Sequence, residues 1–139
     1  MRWTRFLPVA VLLCLANNTR AQTYLCEYPS GQRIYQYKES YLCDYPGGQR
    51  LYEWGGEYIT RYPSGSRLYG FDGQYLTQYP SGERLYQWDG QYIARYPSGE
   101  RLYEYDGEYL TRYPSGERVW QTKGILPVAL VIALATGML

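Results

Sequence analysis

The 139-residue chain contains no histidine. That absence removes the usual general base, the Ser-His-Asp and Cys-His nucleophile systems and the commonest zinc ligand. Catalysis would have to rest on carboxylates alone, and no enzyme activity is expected. Asparagine is confined to Asn17 and Asn18, so the sequon Asn17-Asn18-Thr19 falls in a segment read below as removed. A surplus of charge of either sign is lacking too. Three of the fourteen basic residues, Arg2, Arg5 and Arg20, precede residue 22, which leaves eleven bases against thirteen acids. Nucleic-acid binding by bulk charge needs a clear basic excess and is not expected.

Cysteine is scarce and long apolar runs are missing, but two short runs occupy the ends. Arg2 and Arg5 precede an apolar stretch from Phe6 to Ala16, and Thr19-Arg20-Ala21 places small residues three and one before a cut. That order reads as a signal peptide over residues 1–21, with the mature chain starting at Gln22 outside the cell. Cys14 would leave with it, and the remaining pair, Cys26 and Cys43, would meet an oxidising compartment where a disulfide is expected. At the other end, Ile125 to Leu139 is fifteen residues without a charge. As a helix it would reach only about 22 Å, short of a hydrocarbon core of about 30 Å. Three fates fit this tail: a removable glycolipid-anchor signal with its attachment site at Ser115-Gly116, a short membrane anchor, or an ordinary apolar segment.

Between the ends, over residues 22–124, Tyr-Pro recurs at Tyr28, Tyr45, Tyr62, Tyr79, Tyr96 and Tyr113, always 17 residues apart. A fixed period of this kind decides the architecture. The cleanest unit runs from Gln74 to Gly90, QYLTQYPSGERLYQWDG, and six copies are visible. Tyr, Leu, Ile, Trp and Thr alternating with polar residues between Pro-Ser-Gly and Asp-Gly read as short strands joined by hairpins. Gly and Pro every few residues exclude helices there. The fold class expected is all-β: tandem β-hairpin repeats in an extended or curled antiparallel meander sheet, with a β-solenoid as the alternative, flanked by hydrophobic helical segments.

Pro80-Ser81-Gly82 suits a three-residue loop with Gly82 left-handed, and Asp89-Gly90 a two-residue type I′ loop. Only Lys38-Glu39 lacks that chemistry. Such loops would set Thr77 opposite Leu85 and Leu85 opposite Ala94. Tyr75, Thr77, Leu85 and Gln87 would then share one face, and Leu76, Gln78, Arg84, Tyr86 and Trp88 the other.

The segment Tyr-Pro-Ser-Gly-x-Arg-Leu-Tyr resembles the YD repeats of RHS and teneurin-type proteins and is similar to MORN-variant repeats, over about residues 24 to 120. The period is shorter here, and Pro stands where YD repeats carry Asp. The resemblance implies a β-hairpin array used as shell, scaffold or binding surface.

Candidate sites follow the repeat. The meander register puts Arg67, Arg84, Arg95, Arg101, Arg112 and Arg118 in one mostly cationic row, with Tyr86, Trp88 and Tyr103 beside it. Adjacent like charges across strands are unfavourable, so the row calls for a compensating partner or a different register. As a site it is a basic and aromatic stripe for an acidic glycan or anionic surface; otherwise each Arg stacks on a neighbouring Tyr and meets glutamates locally. The 19 tyrosines fit cross-strand pairing, sugar stacking or cross-linking in an extracellular matrix. Asp72, Asp89 and Asp106 read as turn formers, one carboxylate per turn being far too few for calcium. No metal or cofactor is expected. Cys26 and Cys43 hold equivalent places in consecutive repeats. A meander would keep them about 9–10 Å apart, beyond the roughly 4.4–6.8 Å of a disulfide, whereas stacked solenoid coils would bring them together. The function expected is a non-catalytic secreted or cell-surface structural or interaction protein, the alternative a carbohydrate-binding module. Expected partners are a glycan, extracellular matrix, another copy through exposed sheet edges, or a membrane through the tail.

Overall fold

A computed structural model describes residues 22–139; the signal-peptide reading of residues 1–21 lies outside them. Each repeat supplies two strands. In chain order these are β1 (Thr23–Glu27), β2 (Arg33–Lys38), β3 (Tyr41–Asp44), β4 (Arg50–Trp54), β5 (Tyr58–Arg61) and β6 (Arg67–Phe71). They continue as β7 (Tyr75–Gln78), β8 (Arg84–Trp88), β9 (Tyr92–Arg95), β10 (Arg101–Tyr105), β11 (Tyr109–Arg112) and β12 (Arg118–Lys123), followed by one helix, α1 (Val128–Ala135). Every consecutive pair is antiparallel, which excludes the solenoid, whose coils would stack in parallel at an offset of one repeat.

The expected open meander does not form either, because β1 pairs with β12 and closes the sheet into a barrel. Closure satisfies the edge groups that an open sheet would leave bare. The edge-to-edge association expected from the sequence thereby loses its basis.

Parity holds in the strand interiors. Tyr75 pairs with Gln87 and Leu76 with Tyr86, the register that a Pro-Ser-Gly loop sets. Elsewhere the register departs in two ways. Thr77 faces Arg84 rather than Leu85, because Leu85 is the extra residue of a β-bulge. Across the other hairpin the whole register is displaced by two residues, with Ala94 facing Gln87 rather than Leu85 and Ile93 facing Trp88. The equivalent hairpin closes on Asp106, whose N–H donates to the Tyr109 carbonyl at 3.4 Å, so the two-residue loop is Gly107-Glu108 and not Asp106-Gly107. Glycine comes first in that loop with φ of 93°, the place a type II′ turn gives it. Lys38-Glu39, the copy with neither Asp-Gly nor Gly-Gly, holds Glu39 and Ser40 both at positive φ between the paired Lys38 and Tyr41, as a type I′ turn requires. At the Tyr-Pro turns Gly82 is left-handed at φ 75°, its N–H donating to the Gln78 carbonyl at 2.8 Å, and Gln78 in turn donates to Glu83.

The interior explains the closure. Leu25, Leu42, Ile59, Leu76, Ile93 and Leu110, one from each odd strand, are buried and form a single core with α1. The six consecutive residues Ala129 to Leu134 are all buried, and six residues at 3.6 per turn point in every direction around a helix axis. A helix covered on all sides and packed with a residue from every repeat lies inside the barrel. The dimensions agree: twelve strands about 4.8 Å apart give a perimeter of roughly 58 Å and a width near 18 Å before tilt enlarges it. That admits a helix about 10–12 Å across with one layer of wall side chains. The apolar tail therefore fills the domain rather than flanking it. It enters at Gly124, where φ is 100° and a Cβ would sit 2.5 Å from Thr23 Oγ1. At the far end the Tyr69 hydroxyl donates to the Met138 carbonyl at 3.1 Å.

Candidate functional site

The bulge at Leu85 divides the arginines that the sequence set in one row. Opposite Thr77, Arg84 belongs to the outer face with Tyr75. Its guanidinium carbon lies 3.9 Å from the centre of the Tyr75 ring and 5.7 Å from that of Tyr96. The two rings meet edge to face at 5.4 Å. Arg33, Arg50, Arg67, Arg101 and Arg118 repeat this arrangement, each 3.8–4.1 Å above an odd-strand tyrosine and 5.6–5.7 Å from a Tyr-Pro tyrosine. Arg118 reaches across the closure to Tyr28, so the six units form an unbroken belt around the outside.

The belt takes in Arg67, Arg84, Arg101 and Arg118 of the expected stripe, together with Arg33 and Arg50. Arg95 and Arg112 are not part of it. They end odd strands at the Tyr-Pro rim, bound through exposed ion pairs to Glu100 at 3.3 Å and Glu117 at 3.6 Å. A rim cleft of about 310 Å3 lies between them, with Tyr86, Tyr103 and the helix end at Ala135 and Thr136 along its walls. Tyr86, Trp88 and Tyr103, expected beside the stripe, pack against the core from the inner wall. The aromatic partners that sequence reasoning missed are the odd-strand tyrosines Tyr24, Tyr41, Tyr58, Tyr75, Tyr92 and Tyr109, with the six Tyr-Pro tyrosines. The available signal was a Tyr nine residues before each belt arginine and, for all but Arg118, another twelve after it.

The belt guanidinia are exposed. Among the described residues Arg50 alone of the six has a carboxylate in range, Glu39 at 3.8 Å. Arg33 is additionally within reach of the Tyr45 hydroxyl at 3.5 Å, which holds its proton more firmly still. The aspartates are otherwise engaged. Asp89 Oδ1 accepts the Gln91 and Tyr92 backbone N–H groups at 2.9 and 2.7 Å, and Asp72 and Asp106 repeat the pattern. These donors pull all three carboxyls below their ordinary pKa. Here the turn-forming role read from the sequence is visible atom by atom.

Cys26 and Cys43 are free, buried thiols on β1 and β3 with β2 between them. The disulfide expected from the compartment does not form, because two strands of separation exceed the reach of a disulfide. Burial raises the Cys43 thiol pKa, with the Arg50 charge opposing it. Ser115 and Gly116 lie in the last Tyr-Pro turn, between β11 and β12. A chain cut there would lose both the strand that closes the barrel and the helix that fills it.

Comparison with protein-family models, curated proteins and solved structures finds no match.

Proposed function

We propose that the protein is a non-catalytic, secreted or cell-surface interaction protein, a rigid barrel filled by its own helix that displays one outward motif six times. The observation carrying this reading is the belt. Six equivalent Tyr-Arg-Tyr units face solvent at one level of the barrel. A catalytic centre is ordinarily a single constellation whose members sit in different environments, whereas a uniform repeated surface suits display. Arg, Gln, Glu and Thr on the outer face also speak for a wall in contact with water, since arginine at a bilayer midplane costs about 2–4 kcal/mol.

A second reading, an extracellular carbohydrate- or anionic-surface-binding module, is favoured by one further observation. Arg33, Arg67, Arg84, Arg101 and Arg118 have no carboxylate partner among the described residues. Exposed charges left unpaired but fixed in orientation are available to a ligand.

The display reading is tested by location and surface chemistry together. In cells making the full chain, an externally added protease or membrane-impermeant label should reach the protein without lysis. The variant Arg67→Gln/Arg84→Gln/Arg101→Gln should reach the surface yet adhere less to anionic supports. Recovery of all the protein inside intact, unlabelled cells would overturn the proposal.

A further inference from the structure

We propose that the belt binds a linear sulfated polysaccharide wrapped around the waist of the barrel, successive sulfates meeting successive guanidinia. This rests on the reading of the belt as an interaction surface and adds the class of ligand and its mode of binding. Three features of the belt point the same way.

The first is preorganisation. A guanidinium's donors lie in its own plane, so stacking on a tyrosine occupies a face and leaves the N–H edge for an anion. All six arginines are held in this manner, 3.8–4.1 Å above a ring. Fixing the side chain in advance removes part of the entropy cost of binding.

The second is spacing. Equivalent arginines sit on alternate strands, about 9.6 Å apart around the belt. One sulfate at one arginine is a weak exposed contact, but a chain that engages several gains by multivalency. The closed ring offers such a chain a continuous track.

The third feature separates sugar from nucleic acid. Single-stranded nucleic acid binds non-specifically by stacking bases on aromatic faces along a positive groove. Here each odd-strand ring lies under a guanidinium and meets a Tyr-Pro ring edge to face at 5.4–5.7 Å, so the aromatic surface is engaged internally. Glu53 and Glu104 also stand on the outer face, opposite Tyr41 and Tyr92. Their carboxylates can accept from sugar hydroxyls.

The test uses the full chain and a length series of heparin-type sulfated oligosaccharides, with desulfated counterparts and a single-stranded polynucleotide of equal charge. The expected result is at least a 10-fold gain in affinity between a fragment long enough for one arginine and one spanning three. Desulfation should abolish binding, the affinity should fall with salt, and the polynucleotide should bind at least 10-fold more weakly. Arg67→Gln/Arg84→Gln/Arg101→Gln should remove the length dependence, and because the series is read on the native chain the outcome does not hang on that variant's folding. Equal affinity for short and long fragments would overturn the wrapped mode while leaving an anion-displaying belt intact. Tighter binding of the polynucleotide would overturn the ligand class. No binding of any anion would defeat both this inference and the carbohydrate-module reading beneath it.

Discussion

Leu130→Ala and Ile125→Ala remove similar apolar side chains five residues apart in a segment that sequence alone reads as uniformly hydrophobic. The barrel separates them sharply. Leu130 is fully buried at 0 % exposure, whereas Ile125, at the entry to the lumen, is 88 % exposed. Truncating a buried leucine costs about 2–5 kcal/mol, the transfer loss plus the cavity left behind. Truncating an exposed residue normally stays within about 0.5 kcal/mol. For a domain of this size each kcal/mol moves the melting temperature by roughly 4 °C, so Leu130→Ala should melt about 8–20 °C below the parent and Ile125→Ala within about 2 °C of it. Near-ultraviolet circular dichroism of the wall tryptophans and tyrosines, followed through heat and urea, reads both. Deleting residues 125–139 is the stronger perturbation. It removes Leu126, Leu130, Val131, Ile132 and Leu134, all buried, at about 1.5–3 kcal/mol each. The total rivals the 5–15 kcal/mol net stability of a typical domain, so the truncated chain should not hold a cooperative fold. Equal melting of Leu130→Ala and Ile125→Ala, or an undisturbed transition in the truncated chain, would refute the placement of the helix in the lumen.

Three further outcomes are expected. Gly82→Val should destabilise by about 1–2 kcal/mol in urea titrations, since φ is 75° while no atom lies within 4 Å of the new Cβ; the cost is conformational and not steric crowding by neighbours. Ser81→Ala, which removes only an exposed acceptor 3.3 Å from the Glu83 N–H, should be nearly silent. Asp72, Asp89 and Asp106 have folded pKa values below the ordinary 3.8 because their turns donate to the carboxylate. Their contribution is therefore whole above pH 3.8 and lost as pH falls through the lowered values. Replacing all three by Asn keeps the acceptor oxygens and should flatten that acid limb of the stability profile; an unchanged limb would count against the turn assignment. Finally, thiol titration of the mature protein should count two free cysteines only after denaturation, with slow labelling of the native state, because Cys26 and Cys43 are both buried. A mass two units low and no free thiol would mean a distorted N-terminal hairpin.

Much of the wall was legible in the sequence because each of its determinants is local. The 17-residue period, the antiparallel hairpins, the left-handed Gly82 and the pairing of Leu76 with Tyr86 follow from turn chemistry and alternation within one repeat. The split of the arginines did not follow, since a single bulged residue, Leu85, carries Arg84 to the outer face. The like-charge row that alternation produced was itself the warning that the register changes there. Likewise, Asp89-Gly90 matches type I′ chemistry, but the Asp89 carboxylate accepts the N–H groups of Gln91 and Tyr92 and the loop moves one residue along. Closure was out of reach for a different reason. It depends on how many identical twists add up before the first strand meets the last, and no residue within a repeat encodes that sum. The tail was ambiguous by composition, because Val128 to Leu134 would suit a hydrocarbon layer or a protein lumen equally well.

The lumen also accounts for where the repeats are allowed to differ. A single helix has no sixfold symmetry, so a sixfold wall cannot fit it with one residue type in every layer. The middle layer stays uniform as Leu25, Leu42, Ile59, Leu76, Ile93 and Leu110, all within 2 % of full burial. The layer toward the Asp-Gly mouth, where the chain turns inward, varies instead as Tyr37, Trp54, Phe71, Trp88, Tyr105 and Thr122. Its smallest member, Thr122, stands on β12, from which the chain passes to the helix. The Tyr105 hydroxyl lies 3.0 Å from Thr122 Oγ1, and that hydroxyl also donates to the Gly107 carbonyl at 2.9 Å. Burial raises the Tyr105 pKa and keeps it neutral in that network. Thr122→Trp, which would restore an aromatic to the odd position, should therefore destabilise the fold by overpacking, typically about 1–3 kcal/mol. Trp88→Tyr, at a position that already tolerates either ring, should cost less. Urea midpoints for the two variants decide the matter, and a Thr122→Trp barrel as stable as the parent would mean that the asymmetry of this layer has nothing to do with the helix it admits.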